Sequence, residues 1–420
     1  MVIGAAAGLI VQAAGVDKPT VDAIVSYVKP IGDVFLRMVF MMVIPLIISG
    51  LAIGVADLGD IRRIGRIGVR ALVFSLFITG ISVFIGIAMA EIFQPGASLS
   101  EADRGMLIQR YSSSSEAIQK TGQALQSTNV LQTLVNIIPK NPIEDMARAF
   151  EPGYMGGGVL AIMFFALILG VSLALSDKER TRTFWNFLEG LYEVVMKAIS
   201  LAMKLAPIGV AALLFTLTAT LGWAIFEVLL KYVLVVLAAL AIHQFGTYSL
   251  VLKLFCKTKP LEFFKKIREV MLTAFSTSSS NVTLPTAIRV AQEDLKLPRE
   301  ISNFVLTIGS TANQNGTALY EGITVLFLAQ CFGIHLDISQ QIFIVFVAVL
   351  SGIGTAGVPG GSLPIVMLIL ISIGIPGEAI AIIYGVDRIL DMSRTTLNVT
   401  GDIVAAVFVS QQESKRGIAT

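Results

Sequence analysis

Apolar runs of the length that crosses a lipid bilayer recur along the first 252 residues of this chain. We place them near residues 2–15, 31–56, 69–93, 156–175, 187–218 and 224–252. About 20 apolar residues in a helix span the hydrocarbon core, so the first run is short for a span. It also lacks a basic region ahead of it, which argues against a cleaved signal peptide. The pattern predicts an all-α membrane protein.

Composition excludes several other classes of protein. The chain is 55% hydrophobic and only 14% charged, and its mean hydropathy is +0.80, as expected for a protein embedded in lipid. A net charge of +2 does not provide a nucleic-acid-binding face. Cys256 and Cys331 lie beside apolar runs and read as buried hydrophobes, and the isolated His243 and His335 read as structural residues.

The links between the apolar runs alternate in charge, which predicts the orientation. Links rich in Lys and Arg face the cytoplasm, and these are 57–70, 176–184 and 253–268. The turn around Pro30, the segment 94–155 and the bend at 219–223 then lie outside, and 94–155 is expected to be a loop with some helix. Because an even number of spans separates the amino terminus from the basic link 253–268, the amino terminus is expected in the cytoplasm. The chain is expected in the cell inner membrane.

Polar clusters interrupt the apolar runs of the last 150 residues. They are the serine cluster 276–281, the amide cluster 313–317 and the glycine-rich stretch 352–362. Irregular backbone at membrane depth is tolerated only where protein or an aqueous cavity surrounds it. The first and third clusters lie between paired short apolar segments, which predicts two re-entrant hairpins. Their helix N-termini would face an anion, and unwound carbonyl groups could hold a small cation.

A polar stripe follows these clusters on the last predicted helix. It consists of Asp387, Asp391, Arg394, Asn398 and Asp402, whose spacing of three or four residues puts them on one helix face. The stripe offers a guanidinium for a carboxylate, a carboxylate for an ammonium, and an amide with a second carboxylate for a metal cation. Ionisable residues inside a membrane usually mark a transport path. An ion-pair ladder that only staples helices together is the alternative.

Several motifs give the chain a specific resemblance. They are Ser278-Ser279-Ser280 with Thr283-Leu284-Pro285, Asn313 to Tyr320, Gly354 to Gly360, Asp391 to Thr395, Asn398 to Asp402, and earlier Tyr27 to Asp33 and Ala206 to Val210. With these motifs the chain resembles the dicarboxylate/amino acid:cation symporter family, the glutamate and aspartate transporters, over nearly its whole length.

The resemblance implies an architecture. Eight transmembrane helices and two re-entrant hairpins form inverted repeats, and an elevator-type movement in a homotrimer carries the substrate. A static scaffold would comprise residues 1–68 (helices 1 and 2) and 97–222 (an external loop with helices 4 and 5). A mobile transport domain would comprise 69–96 (helix 3) and 223–420 (helix 6, hairpin 1, helix 7, hairpin 2 and helix 8).

The resemblance also implies a substrate, an acidic amino acid. Arg394 would bind the side-chain carboxylate and Asp391 the ammonium, because an ammonium needs a desolvated anion to replace water. The remaining substrate-binding residues would be Asn398, Thr395, Thr317, Ser279, Ser280, Val358 and Ser362. This pairing favours aspartate or glutamate, imported together with sodium, protons or both.

Two sodium sites transfer by resemblance. One uses Gly309, Asn313, Asn398 and Asp402, and the second uses the carbonyl groups of Thr311, Gly352, Ile353 and Thr355. A third is doubtful, because Asn315 stands where the family has a carboxylate and the helix 3 positions near Ser75 and Thr79 also differ. Glu321 is a candidate proton carrier that partly replaces the third sodium. A solvated or structurally bonded Glu321 is the alternative.

Other functions remain open on the sequence. A gated anion channel could use the same polar cavity, and a C4-dicarboxylate carrier shares the fold. An intramembrane enzyme is disfavoured, since Ser278 to Ser280 lack a nearby Lys or His base and the chain contains no HExxH or GxSxG motif. We therefore predict a transporter rather than an enzyme, without an organic cofactor.

Overall fold

The computed structural model describes residues 2–59, 66–111, 135, 138–149, 158–354 and 362–414, and the regular structure of these residues is helical. Because lipid offers no hydrogen bonds to the backbone, a helix is the natural solution for isolated apolar segments. The all-α class predicted from the sequence is therefore confirmed for the described part of the chain.

The amino-terminal part alternates long apolar helices with short ones. Its helices are α1 Val2–Ala13, α2 Lys18–Phe40, α3 Val43–Leu46, a π-helical segment Ile47–Leu51, α4 Ala52–Gly59, α5 Arg66–Phe93, α6 Glu101–Tyr111, α7 Pro142–Arg148, α8 Gly158–Leu175 and α9 Lys178–Leu221. Local side chains fix several starts. The Asp177 carboxylate, for example, accepts hydrogen bonds from the Glu179 and Arg180 amides and so caps α9.

The carboxyl-terminal part consists of shorter, interrupted helices and one long one. Its helices are α10 Ala224–Ala241, a π-helical segment Ile242–Thr247, α11 Tyr248–Leu254, α12 Pro260–Lys266, α13 Arg268–Thr277, α14 Ser280–Glu293, α15 Arg299–Ala312, α16 Asn315–Cys331, α17 Ile338–Gly354, α18 Leu363–Ser372, a 3₁₀ turn Gly377–Ile380 and α19 Ala381–Ser414. Most of the polar clusters picked out from the sequence lie at the interruptions.

Four helical segments of the described chain are long and apolar enough to cross a membrane. They are Lys18–Ala56, Ile67–Phe93, Lys178–Leu221 and Ala224–Leu254, and shorter apolar helices cover Ile3–Ala13, Ala161–Leu175 and Ile338–Leu350. The predicted runs 69–93, 187–218 and 224–252 lie within these helices. With 44 residues, α9 is roughly 66 Å long and exceeds the hydrocarbon core of about 30 Å.

The predicted turn around Pro30 is wrong. Helix α2 runs through Pro30, and the chain turns earlier, where Gly15 has a φ of 65° and Asp17 caps α2. Tertiary packing explains the difference, because the helix around Gly32 lies against Leu213 of α9 and is held there despite the missing amide. The predicted charged link 176–184 is likewise mostly the start of α9.

The bend predicted at 219–223 is confirmed, since Gly222 ends α9 with a φ of 62°. Within the predicted loop 94–155, α6 and α7 account for the described helix, and most of its serine- and glutamine-rich part lies outside the described residues.

Helix α19 lies at the centre of the carboxyl-terminal part. It contacts α5, α9, α10, α11, α13, α14, α15 and α16. The polar stripe predicted from its spacing is buried: the exposed fractions of Asp387, Asp391, Arg394, Asn398 and Asp402 lie between 2% and 6%. Every member of the stripe is therefore enclosed by protein.

Candidate functional site

The break between α15 and α16 brings two helix ends together inside the protein. Asn313 and Gln314 adopt non-helical backbone angles there, so the first amides of α16 lack helical acceptors. The Asn398 Oδ1 atom on α19 fills this role, accepting from the Gly316 amide at 2.7 Å and the Thr317 amide at 3.4 Å. Asn398 thus joins the break to the polar stripe.

The side-chain amide nitrogen of Asn398 also has hydrogen-bond acceptors within the protein. Its Nδ2 donates to the Gln314 Oε1 atom at 2.5 Å and to the Thr317 hydroxyl at 3.1 Å. Gln314 in turn donates from Nε2 to the Ser310 carbonyl at the end of α15, at 3.3 Å. The orientation of Asn398 and Thr317, both predicted site residues, is therefore fixed by Gln314.

Arg394 forms the centre of a buried charged cluster with Asp387 and Asp391. Its Nε and Nη2 atoms donate to Asp391 Oδ1 at 3.0 and 2.8 Å, and its Nη1 atom lies 3.7 Å from Asp387 Oδ1. Among the described residues Nη1 has no hydrogen-bond partner although it is buried. A buried guanidinium nitrogen without a partner is well suited to bind an anionic group.

The Tyr320 ring packs over the Arg394 guanidinium, and the Tyr320 hydroxyl contacts Asp387. The Arg394 Cζ atom lies 4.3 Å from the centre of the Tyr320 ring, within the range of a cation–π contact. The Tyr320 hydroxyl donates to Asp387 Oδ1 at 2.7 Å. Tyr320 lies on α16, five residues after that helix begins at Asn315.

Asp391 has a second cationic neighbour, Arg388. The Arg388 Nη1 atom lies 3.8 Å from Asp391 Oδ2, and the Arg388 side chain is 54% exposed against 5% for Asp391. The two oxygens of Asp391 therefore face different arginines: Oδ1 faces the buried Arg394, and Oδ2 faces the exposed Arg388.

A second polar centre surrounds Asp402, two turns further along α19. The Asn313 Nδ2 atom donates to Asp402 Oδ1 at 2.8 Å. Gly309 packs directly against this carboxylate, so that a Cβ atom there would lie 2.5 Å from Oδ1. The structure thus brings together Gly309, Asn313 and Asp402, three members of the first predicted sodium site, with the Asp402 carboxyl group among them.

Asn315 belongs to a neutral hydrogen-bond network instead. Its Oδ1 accepts from the Thr79 hydroxyl of α5 at 2.5 Å, its Nδ2 donates to the Tyr248 hydroxyl at 2.9 Å, and its carbonyl accepts from Ser82 at 2.9 Å. The same Thr79 hydroxyl also lies 2.8 Å from the Ser75 carbonyl oxygen, which is an alternative acceptor for its proton. Both halves of the Asn315 amide are used by the protein.

The serine cluster forms the tip of a helix pair. Helices α13 and α14 pack against each other and against α19, and the chain reverses at Ser278, which has a φ of 52°. Ser279 caps α14 by accepting from the Val282 amide at 3.3 Å, and Ser280 begins that helix. All three serines are buried, and the Ser278 hydroxyl has no hydrogen-bond partner among the described residues.

The other predicted site residues fall into three groups. Ser362 and Thr395 are buried, and the Ser362 hydroxyl has no hydrogen-bond partner in the described part of the chain. Thr355 and Val358 lie outside the described residues, and Thr311, Gly352 and Ile353 are described only as backbone within α15 and α17.

Glu321 is fully buried on α16, with an exposed fraction of 0%. The solvated alternative considered for it is therefore wrong, and Glu321 interacts within the protein.

Sequence reasoning missed the roles of Gln314, Tyr320, Tyr248, Ser82 and Arg388. Arg388 could have been found, because it precedes Asp391 by three residues on the same helix face. Tyr248 and Ser82 pair with residues 67 and 233 positions away, and no local spacing indicates such partners.

Comparison with known proteins identifies the family of this chain. The family model described as the sodium:dicarboxylate symporter family matches residues 1–412. A proton/sodium-glutamate symport protein of Bacillus caldotenax is 35% identical over 418 residues, covering 98% of this chain and 93% of the relative. The proton/glutamate-aspartate symporter of Escherichia coli strain K12 is 33% identical over 393 residues, covering 93% and 86%.

A mammalian relative is similar as well. Excitatory amino acid transporter 3 of Bos taurus is 30% identical over 418 residues, covering 91% of this chain and 79% of the relative. The chain therefore belongs to the sodium:dicarboxylate symporter family.

Proposed function

We propose that this chain is a secondary active symporter that imports aspartate or glutamate together with sodium, protons or both. The observation that carries the proposal is Arg394, a buried guanidinium held between two aspartates with one nitrogen, Nη1, left without a hydrogen-bond partner among the described residues. The names of the relatives, glutamate and glutamate-aspartate symporters, support the substrate class.

Each part of the substrate has a chemically matched partner in this proposal. The side-chain carboxylate binds the Nη1 atom of Arg394, the guanidinium nitrogen without a hydrogen-bond partner among the described residues. The ammonium binds Asp391, and the α-carboxylate approaches the Thr317 hydroxyl, Asn398 and the amide end of α14 at Ser280. Val358, at the tip of the proposed second hairpin, completes the pocket together with Ser362 and Thr395.

Cation coupling uses the second polar centre. A sodium ion would take carbonyl oxygens of Gly309, Asn313 and Asn398 and the Asp402 carboxylate, since hard cations prefer oxygen ligands. A second ion would use carbonyl groups of Thr311, Gly352, Ile353 and Thr355. The neutral Asn315 network disfavours a third sodium, because both ends of its amide are already bonded to Thr79 and Tyr248.

Glu321 is the candidate proton carrier. It is a buried carboxylate four residues beyond Thr317, and a carboxylate that moves through a membrane is less costly when protonated. We expect Glu321→Gln to remove the pH dependence of aspartate transport, and we expect Glu300→Gln, a change at an exposed residue of α15, to leave it intact. An unchanged pH profile in Glu321→Gln would exclude this role.

The proposal includes the architecture of the family. Residues 1–68 and 97–222 form a static scaffold in a homotrimer, and residues 69–96 and 223–420 form the moving unit, with eight transmembrane helices and two re-entrant hairpins in all. The protein lies in the cell inner membrane with its amino terminus in the cytoplasm. The contacts of α19 with α5, α10 and α13 to α16 support a moving unit built around that helix, and its contact with α9 would lie at the boundary with the scaffold.

Reconstituted vesicles test the function. Purified protein in liposomes with an imposed sodium gradient or pH gradient should accumulate labelled aspartate or glutamate above the external concentration, and the ionophore that dissipates the driving gradient should abolish accumulation. Arg394→Ala should not accumulate label. Failure of both amino acids to accumulate under either gradient would contradict the proposal.

Two alternatives have distinct outcomes. A gated anion channel would let the label equilibrate but never exceed the external concentration. A C4-dicarboxylate carrier would accumulate succinate or malate and not aspartate. Calorimetric binding of aspartate, glutamate and succinate, each with sodium, potassium or only protons present, separates the substrates and the coupling ion.

A further inference from the structure

The two oxygens of Asp391 have unequal partners. Oδ1 accepts both of the hydrogen bonds from Arg394, at 3.0 and 2.8 Å. Oδ2 faces only a charge at 3.8 Å, the Arg388 Nη1 atom, beyond hydrogen-bond distance. Oδ2 is therefore the oxygen that remains open to an incoming cationic group.

A buried carboxylate that is matched to an ammonium normally enforces strict selectivity. An analogue without the ammonium leaves the carboxylate desolvated and unpaired, and sites of this kind reject such analogues by about 10⁴-fold or more. In the site of this chain, a C4-dicarboxylate would place only a methylene group near Asp391. Selectivity for an amino acid over a dicarboxylate therefore depends on whether another cationic group can pair with Asp391 Oδ2.

Arg388 is placed to supply that cation. Its side chain is 54% exposed, so it reaches the buried carboxylate from the exposed side of the cluster and has room to turn outward. Arg394 cannot take its place, because Nε and Nη2 are already used on Oδ1 and Nη1 lies towards Asp387. Together Arg388, Arg394, Asp387 and Asp391 carry two positive and two negative formal charges.

We propose that Arg388 is a specificity-determining residue that takes the place of the substrate's ammonium at Asp391 Oδ2. With an amino acid bound, the ammonium occupies Oδ2 and Arg388 turns outward. With a dicarboxylate bound, Arg388 stays and neutralises Asp391. The transporter therefore accepts succinate-like dicarboxylates as secondary substrates, an inference that rests on the proposed function because it assumes aspartate in this site.

Competition binding tests the proposal in detergent-solubilised full-length protein. The measured quantity is the ratio of the succinate Kd to the aspartate Kd, at a fixed saturating sodium concentration and fixed pH. We expect Arg388→Ala to raise this ratio by at least about tenfold, because succinate loses the cation that neutralises Asp391. Arg388→Lys retains a positive charge and should keep the ratio within about threefold of the native value.

Two controls make the outcomes decisive. Arg299→Ala removes an exposed arginine of α15 far along the sequence from the cluster and should leave the ratio unchanged. Aspartate binding to Arg388→Ala shows that the variant is folded. An unchanged ratio in Arg388→Ala, or the same rise in Arg388→Lys as in Arg388→Ala, overturns the role of Arg388.

Failure of the proposed function can be distinguished from failure of the inference about Arg388. If the native protein binds neither aspartate nor glutamate, the proposed function is wrong and the ratio has no meaning. If the native protein binds aspartate but rejects succinate as strongly as Arg388→Ala does, only the inference about Arg388 is wrong.

Discussion

Two regions of the polar face of α19 differ in charge, although they are only two turns apart. Around Arg394 the neighbours are ionisable: Asp387 and Asp391 flank the guanidinium, and Arg388 lies near Asp391. Around Asp402 the neighbours are neutral, with the Asn313 amide donating to its carboxylate. With Arg388 and Arg394 facing Asp387 and Asp391, the first region has two basic and two acidic side chains and suits a zwitterionic ligand with an extra carboxylate. The second has one carboxylate with no basic partner among the described residues and suits a small cation.

Removal of Arg394 is expected to have the largest effect. Arg394→Ala leaves two buried aspartates without their cation, and truncation of one partner of a buried pair costs about 2–5 kcal/mol, or about 30-fold or more in affinity. Calorimetry of aspartate binding checks this. Arg180→Ala, at an exposed position of α9, is the matched control. Undiminished aspartate affinity in Arg394→Ala would remove the charged region from the binding site.

A methyl group added at Gly309 tests the second region. In Gly309→Ala the new Cβ atom would lie 2.5 Å from Asp402 Oδ1, so the carboxylate must shift. Overpacking of this kind costs about 1–3 kcal/mol, and we expect the apparent sodium affinity to fall about tenfold or more in a sodium titration of aspartate binding.

The matched control for that variant is Gly190→Ala on α9, where a Cβ atom meets open space. An equal loss of sodium affinity in both variants would mean that the effect is unrelated to Asp402.

A carboxylate at position 315 would extend the cation-binding character of the second region. Asn315→Asp places a negative charge beside the Thr79 and Tyr248 hydroxyls, and we expect a steeper sodium dependence of aspartate binding and about a tenfold gain in sodium affinity. Thr79→Ala in the same background should reverse the gain, because it removes one oxygen ligand. Sodium dependence identical to that of the native chain would show that the neutral network does not limit cation binding.

Loss of one hydroxyl in the charged region should have the smallest effect. Tyr320→Phe keeps the ring beside Arg394 and removes the hydrogen bond to Asp387. A typical net contribution of about 1 kcal/mol corresponds to about a fivefold loss of aspartate affinity. Tyr320→Leu, which also removes the ring, should lose more. If Tyr320→Phe and Tyr320→Leu bind aspartate with equal affinity, the cation–π contact contributes nothing to binding.

Periodicity predicted the polar stripe correctly, and packing explains what it could not predict. The residues of the stripe share a face because the helix repeats every 3.6 residues, whereas their burial depends on the helices that pack around α19. Pro30 illustrates the opposite case, since local preference predicted a turn and contact with α9 kept the helix intact. The partner of Asn398 lies 82 residues earlier in the chain, and a separation of that length leaves no trace in local sequence.

Small residues on α5 have a mechanical consequence. Gly86 lets α5 approach α16 so closely that a Cβ atom there would lie 2.7 Å from the Leu319 carbonyl oxygen. Just beyond, at the carboxyl end of α5, Gln330 accepts from the Gly96 amide and donates to the Ala90 carbonyl, both at 3.0 Å. These contacts hold the carboxyl end of α5 against α16, so we expect a shift of α16 to move that end of α5 with it.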